Sequence, residues 1–309
     1  MESVPCNLCG SNHFSILYRG PDLLLDHKEE LFTMVRCNDC GSVYQNPRPS
    51  AAEIGKYYPA DYDPYYEERP TNWLVRKVNQ AGVDKRCRLV NSIPNRKSGG
   101  RLLDIGCSTG LFMDKLRQTK TWEVWGVEPS EHAVKIAQER YRLNVFHGDL
   151  FQADFPDGFY DVITMWDVLE HLPDPSGAID EITRITKPKS YLILRVPNRD
   201  SLDAKLFARN WAGLDMPRHF YVFSRRNLAV LLDKHGYEIT QISGNIGVYP
   251  TFLLSLRFWL TNREVDSSLR EKIFAILNHP VMKLFTAPFF YFYGLLLLGT
   301  GMTVVAKKK

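Results

Sequence analysis

From Arg101 to Asn198 the chain switches repeatedly between short apolar runs and amphipathic stretches, and this alternation constrains the fold more than any other feature. "RLLDIG", "WEVWGVE", "LNVFHGD", "YDVITMW" and "SYLILRVPN" read as strands, rich in β-branched, aromatic and leucine residues. Between them "LFMDKLRQ", a segment opening at Ser130 with Glu131 in its first turn, and "SGAIDEITRIT" have helical spacing. Strands separated by helices need crossover connections, which means a parallel sheet covered on both faces. In such α/β sheets ligands bind at the carboxyl ends of the strands, near the point where the strand order reverses.

The length of 309 residues suits one large or two small domains, and 44% hydrophobic with 24% charged residues is ordinary for a globular chain. A net charge of +4 is too small to single out a nucleic-acid partner. The start, "MESVPCNLCG", lacks a basic segment followed by an apolar run, so no secretory leader is expected and the compartment is read as cytoplasmic.

Cys6 and Cys9 form one C-x2-C pair and Cys37 and Cys40 another, each followed by Gly. Two such knuckles supply four thiolates, the complete ligand set of a tetrahedral structural zinc with no position left for chemistry. The 27 residues between the pairs exceed the usual zinc spacing but can hold a hairpin containing "FTMVRC". A module of residues 1–50 is small enough to need such a staple, and the pairing of thiols suits a reducing compartment. A Pro- and Tyr-rich connector over 51–98 follows, with one short helix after Ser50 and a longer one from about Asn72 to Ser92.

The strand ends hold the candidate ligand-binding residues. After the first strand of the core, "DIGCSTG" places Gly106 and Gly110 around a tight turn into a helix, where the backbone can approach a ligand closely. Glu128 ends the next strand, 22 residues beyond Gly106, where an acid can accept hydrogen bonds from both ribose hydroxyls. Asp149, in "HGDL", ends the third and can meet an adenine amino group. Neither the dinucleotide fingerprint G-x-G-x-x-G nor a phosphate loop ending in Gly-Lys-Ser/Thr is present, so a single-adenosine ligand without pyrophosphate fits better.

"LLDIGCSTG", "GVEPS", "GDL" and "YDVITMWDVLEHLPDP" together resemble the class I S-adenosylmethionine-dependent methyltransferases over about residues 99–245. The resemblance implies a Rossmann-like seven-stranded methyltransferase sheet with one antiparallel strand, and S-adenosylmethionine as cofactor. It places the methionine part over the Gly106–Gly110 turn with Cys107 inside it, Glu128 at the ribose, Asp149 and Leu150 at the adenine, and Asp104 as the acid ahead of the loop. Ser108 departs from the family's usual loop but is small. The double C-x2-C module ahead of such a core resembles zinc-containing methyltransferases acting on sugar nucleotides or other small polar metabolites.

On the acceptor side, "PRHFYVFS" leads into a helix capped by Ser224, and a loop here carries His219 and Tyr221. In related small-molecule methyltransferases a His in this place faces the acceptor and can take its proton, which makes His219 and Tyr221 the catalytic candidates. Asp167, Glu170 and His171 in "WDVLEH" would share one face of a helix. They could hold a divalent cation with His219, as the resemblance to ubiquinone-pathway and small-RNA methyltransferases suggests. The plainer alternative makes Asp167 a cofactor-contacting or helix-capping residue and the other two scaffold.

Residues 246–298 form an apolar helical insertion, and 299–309 the final sheet strand with its basic tail. The uncharged run 284–306 is long enough to span a bilayer, but splitting it into a helix and the strand "GMTVVAKK" supplies the sheet with its last member. The segment 250–298 is then open to three uses: homodimer interface, lid, or peripheral contact with a membrane. The leading functional expectation is methylation of a small molecule at oxygen or carbon, the acceptor being a sugar nucleotide, lipid-linked sugar or quinone-like intermediate. Methylation of ribosomal RNA and a non-catalytic cofactor-binding scaffold are the competing classes.

Overall fold

A computed structural model describes residues 1–58, 73–93 and 99–309. The tyrosine-rich part of the connector, the expected helix start at Asn72 and most of the turn "NRKSGG" lie outside the described residues. In chain order the elements begin with β1 (Phe14–Asp22), β2 (His27–Cys37), β3 (Val43–Gln45), α1 (Trp73–Asn91), β4 (Gly100–Ile105), α2 (Leu111–Arg117) and β5 (Trp122–Glu128). They continue with α3 (Glu131–Glu139), β6 (Asn144–His147), β7 (Tyr160–Trp166), α4 (Pro175–Ile185), β8 (Thr186–Pro197), α5 (Leu202–Phe207), β9 (Tyr221–Val222) and α6 (Arg225–Lys234). β10 (Tyr237–Ser243), α7 (Val248–Asn262), α8 (Ser267–Asn278), α9 (Pro280–Leu295) and β11 (Gly301–Lys308) follow.

By compactness the chain divides into two units. One gathers residues 1–57, 196–228 and 242–303; the other gathers 58–195, 229–241 and 304–309.

The second unit is framed by a seven-stranded sheet in the order β10-β11-β8-β7-β4-β5-β6. β4 lies parallel between β5 and β7, with Leu103 opposite Trp125 on one side and Ile163 on the other. The chain therefore winds outward in both directions from β4, and the switch point lies at the carboxyl ends of β4 and β7. Leu102, Leu103, Ile163, Met165, Leu192 and Ile193 are buried, as strands covered on both faces require. α4 buries Ala178, Ile179, Ile182 and Ile185, the i, i+1, i+4, i+7 spacing of an amphipathic helix. Ser130 caps α3 by accepting from the Ala133 amide at 3.3 Å, as its place before Glu131 predicts.

The final strand is β11, lying between β8 and β10. The run 284–306 is thus split between α9 and a strand, as the sheet's need for a last member predicts. Among the described residues no single helix is long and apolar enough to cross a membrane; α8 and α9 pass that test only together, and they are bent by 71°.

The first unit holds a four-stranded sheet in the order β1-β2-β3-β9. β1 and β2 are the expected hairpin between the cysteine pairs, with Phe14 opposite Cys37. The fourth strand comes from far along the chain, Val43 facing Val222 and Tyr44 facing Tyr221. Phe32, Met34, Val43, Phe207, Trp211 and Val222 are among the residues of its core. The fully buried Arg218 forks onto Asp22 with two bonds of 2.7 Å and onto Asp215 at 2.8 and 3.1 Å, so its charge is balanced where water cannot reach it.

Candidate functional site

At the switch point of the second unit, β4 runs into a turn in which Gly106, Ser108 and Gly110 all have positive φ, at 70°, 50° and 85°. A side chain at Gly106 would stand 2.5 Å from Val168 in the loop after β7, and one at Gly110 2.5 Å from Leu143. Glycine is therefore required at both positions by conformation and by space. Ser108 accepts the left-handed conformation without glycine, so the departure from the family's loop leaves the turn intact.

Glu128 closes over this turn. Its Oε2 accepts from the Ser108 amide at 2.9 Å and its Oε1 from the Ser130 amide at 3.0 Å. The residue is 3% exposed, and burial pushes its carboxyl above the usual range. A carboxylate can accept about four hydrogen bonds, so two amides leave capacity for hydroxyl donors. The Gly148 amide donates to the Glu128 carbonyl at 3.0 Å, which ties the end of β6 to the same corner. There Asp149 is exposed, and its Oδ1 accepts from the Phe151 and Gln152 amides at 2.9 and 2.8 Å; Leu150 beside it is buried. The glycine turn, Glu128 and Asp149 are thus brought together by backbone hydrogen bonds, as their order along the chain predicts.

Asp104 lies beneath the turn. It accepts a 2.5 Å hydrogen bond from the Thr164 hydroxyl, and burial pushes its carboxyl up to about 7. Cys107 is buried, and its thiol is pushed up by burial, which makes it a packing group and not a nucleophile.

The stretch "WDVLEH" departs from its helical reading. Asp167 has φ 61°, and only Leu169–His171 form a single 3-10 turn, so 167, 170 and 171 do not share a helix face. The helix proper starts at Pro175, capped by Asp174, whose carboxylate accepts from the Gly177 amide at 2.9 Å. Asp167 is paired with Arg195 of β8. Glu170 is fully buried, and the His171 Nδ1 lies 3.0 Å from the Tyr58 hydroxyl.

Two cations at this end of the sheet escape sequence reading. Arg195 sits on β8 beside Asp167, with the Glu170 charge also acting on it. A charged residue inside the run "YLILRVP" is the signal that could have found it. Arg86, from α1, lies over the Trp166 ring at 4.9 Å. Its Nε has no hydrogen-bond partner among the described residues, and burial lowers its pKa against the pull of Asp167 and Asp104. Nothing in "DKRCRLV" distinguishes Arg86 from the other cations.

In the first unit the four cysteines converge, their sulfurs all within 4.8 Å of one another. Cys6 and Cys40 are 3.5 Å apart, as are Cys9 and Cys37. The two knuckles are built alike: the Gly10 amide donates to the Cys6 carbonyl at 2.7 Å, the Gly41 amide to the Cys37 carbonyl at 3.0 Å, and both glycines have φ 76°. Four sulfurs about 2.3 Å from a common centre would lie at such mutual distances, so the donor set fits a tetrahedral metal.

Also in the first unit, the His219 Nδ1 lies 3.0 Å from the Gly213 carbonyl, which can only accept. Nδ1 therefore carries the proton, and Nε2 is the ring's acceptor. Tyr221 is buried in β9, stacked between Tyr44 and Phe223, and its hydroxyl accepts from Arg48 at 3.2 Å.

Comparison with known proteins bears on this arrangement. A family model described as a methyltransferase domain matches residues 77–242, more than half of the chain. Curated relatives include the ubiquinone biosynthesis O-methyltransferase of Thiobacillus denitrificans, 27% identical over 213 residues, which are 63% of this chain and 86% of that protein. Another is the 27-O-demethylrifamycin SV methyltransferase of Amycolatopsis mediterranei, 28% identical over 180 residues, 51% of this chain and 64% of that one. The chain spans about half the length of the first curated relatives it matches, between 45% and 58% of each. Among solved structures, the cyclase SpnF shares the fold with a TM-score of 0.55 at 19% identity, over 85% of this chain and 98% of that one.

Proposed function

Because the chain belongs to the methyltransferase-domain family, we propose that it transfers a methyl group from S-adenosylmethionine to a hydroxyl oxygen of a small-molecule acceptor. The observation that carries the cofactor reading is Glu128, a buried carboxylate held by the Ser108 and Ser130 amides over a turn with three left-handed residues. The O-methyltransferases among the relatives support an oxygen acceptor.

In this reading Glu128 accepts from the ribose hydroxyls, and Asp149 with the backbone at Leu150 borders the adenine. Arg86 takes the cofactor's carboxylate, the one anionic group the molecule has, because its guanidinium is buried over Trp166 with hydrogen-bonding capacity left. Asp104 holds the glycine turn in place from below through Thr164. When bound, the cofactor supplies a methyl carbon made electrophilic by the neighbouring sulfonium. The protein's part is to align the acceptor oxygen and to remove its proton. His219 accepts that proton at Nε2, with the Gly213 carbonyl fixing the tautomer. Tyr221, whose hydroxyl is engaged by Arg48, steadies the strand that follows. The cysteine cluster holds a structural zinc, with four thiolates and no open position.

Titration with S-adenosylhomocysteine in a calorimeter, followed by an acceptor screen with methyl-labelled cofactor over hydroxylated quinone precursors and sugars, tests the reading. Saturable binding and transfer of label to an acceptor oxygen are expected; absence of cofactor binding defeats it. The divalent-cation reading of Asp167, Glu170 and His171 with His219 has its own test: full turnover after removal of divalent cations ends it.

A further inference from the structure

α9 carries two apolar faces, and the fold of the first unit uses one of them. Phe290 packs against Tyr249 and Phe252 with ring centroids at 4.8 and 5.3 Å, and the Tyr293 hydroxyl donates to the buried Asp203 at 2.8 Å. The other face presents Val281, Leu284, Phe285, Phe289, Phe292 and Leu296 to solvent, Phe285 at 81% exposure. These positions follow i, i+3, i+4, i+8, i+11 and i+15, one stripe along the helix. In a helix resting on a core this stripe would be polar. Of the 19 large hydrophobic residues exposed in the described chain, 10 fall between Leu269 and Leu296, which makes this a patch and not scatter.

Apart from Glu271, which is paired with Arg257, the charges beside the patch have one sign. From Lys272 to Lys309 the sequence contains no Asp or Glu, while Lys272 and Lys283 flank the stripe on α8 and α9. A helix of 16 residues is about 24 Å long, short of a ~30 Å hydrocarbon core, and the 71° bend from α8 prevents the pair from forming one straight span. An apolar, aromatic-rich stripe edged with lysines on a short helix suits a position in the plane of a bilayer interface. A second copy of the chain is the poorer occupant, because a two-fold contact would set this cationic border against itself. Anionic headgroups complement it.

We propose that α9, with the C-terminal half of α8, is a foot that seats the protein on an anionic phospholipid surface, Phe285, Phe289 and Phe292 entering the acyl boundary and Lys272 and Lys283 meeting headgroup phosphates. This inference stands apart from the methyl-transfer reading, since it concerns a surface and not the cofactor site.

The test is co-sedimentation of the full chain with vesicles of phosphatidylcholine alone or mixed with phosphatidylglycerol, alongside sedimentation equilibrium without lipid. Binding to the mixed vesicles is expected to be roughly tenfold or more tighter than to the neutral ones and to weaken with salt. Phe285→Ser with Phe292→Ser is expected to lose roughly tenfold or more of that binding at an unchanged Tm, because both side chains face solvent. Lys272→Gln with Lys283→Gln is expected to reduce the preference for anionic lipid. Failure to bind mixed vesicles, binding indifferent to the anionic lipid, or a dimer that the Phe pair dissolves while vesicles bind neither form, would each overturn the proposal.

Discussion

Asp167 and Arg195 are tied twice across the ends of β7 and β8. The Asp167 amide donates to the Arg195 carbonyl at 2.9 Å, and the Arg195 guanidinium pairs with the Asp167 carboxylate. The backbone bond continues the parallel ladder one residue past β7, and the ion pair pins the loop that then turns into "LEH".

Arg195→Met should therefore destabilise the protein by about 3 kcal/mol, because it strips the compensating cation from Asp167 and from the fully buried Glu170. Asp167→Asn should cost less, about 1 kcal/mol, since its side chain is part exposed and Glu170 still faces the arginine. Urea midpoints of the two variants measure the difference, and equal losses would contradict it.

Glu128→Gln should weaken S-adenosylhomocysteine binding by roughly tenfold to a hundredfold while the protein stays folded. Glutamine places an amide N–H against either the Ser108 or the Ser130 N–H, where the carboxylate accepted from both. Calorimetry reads the loss; an unchanged Kd would remove Glu128 from the binding site.

His219→Ala should lower kcat by about 10²–10⁴ with cofactor affinity unchanged, the signature of a lost base. His219→Gln should fail to rescue, because an amide at the same place cannot take up a proton. Single-turnover rates with a known acceptor, read beside cofactor affinity, distinguish this from a folding defect.

The zinc proposal makes a compositional prediction. Metal analysis of the purified chain should give one zinc per protomer, and Cys37→Ser should lower that content and the Tm. Both effects follow if four thiolates close one site, and retention of full zinc by Cys37→Ser would contradict it.

Asp104 gives a pH dependence of defined sign. Its carboxyl is pushed up to about 7 in the fold by burial, so between about pH 4 and 7 the folded chain holds a proton that the unfolded chain has released. This group's contribution to stability is present at the acid end and is lost as pH rises through that window. Asp104→Asn keeps the acceptor for Thr164 without the charge. Relative to wild type it should gain roughly 1–3 kcal/mol on going from about pH 5 to about pH 8, read from denaturation midpoints.

Much of the second unit could be read from the sequence because its information is local. Trp122–Glu128 is a strand over the whole of "WEVWGVE", and α3 opens at Ser130. The glycine turn announces itself because two left-handed positions exclude any side chain. The failures are all non-local. "WDVLEH" has helical spacing, but a pairing with Arg195, 28 residues later, holds Asp167 where no helix can begin, and Asp174 supplies the start instead. Arg86 matters through Trp166, some 80 residues away, and a helix with many cations gives no local reason to choose it. The strand pairing of Tyr221 with Tyr44 is likewise visible only once the sheet is assembled.

That pairing has a consequence for how the chain folds during synthesis. All four cysteines emerge within the first 40 residues, so the cysteine knuckles can form as soon as the β1–β2 hairpin is available. The edge of β3 must wait for residues 221–222, a contact of very long sequence separation. Until then the nascent module carries the open edge of Val43, Tyr44 and Gln45, and an unpaired edge is the kind that recruits wrong partners. A fragment cut at residue 50 would keep that edge permanently, so the cysteine-bearing segment and the loop bearing His219 are best expressed as one piece.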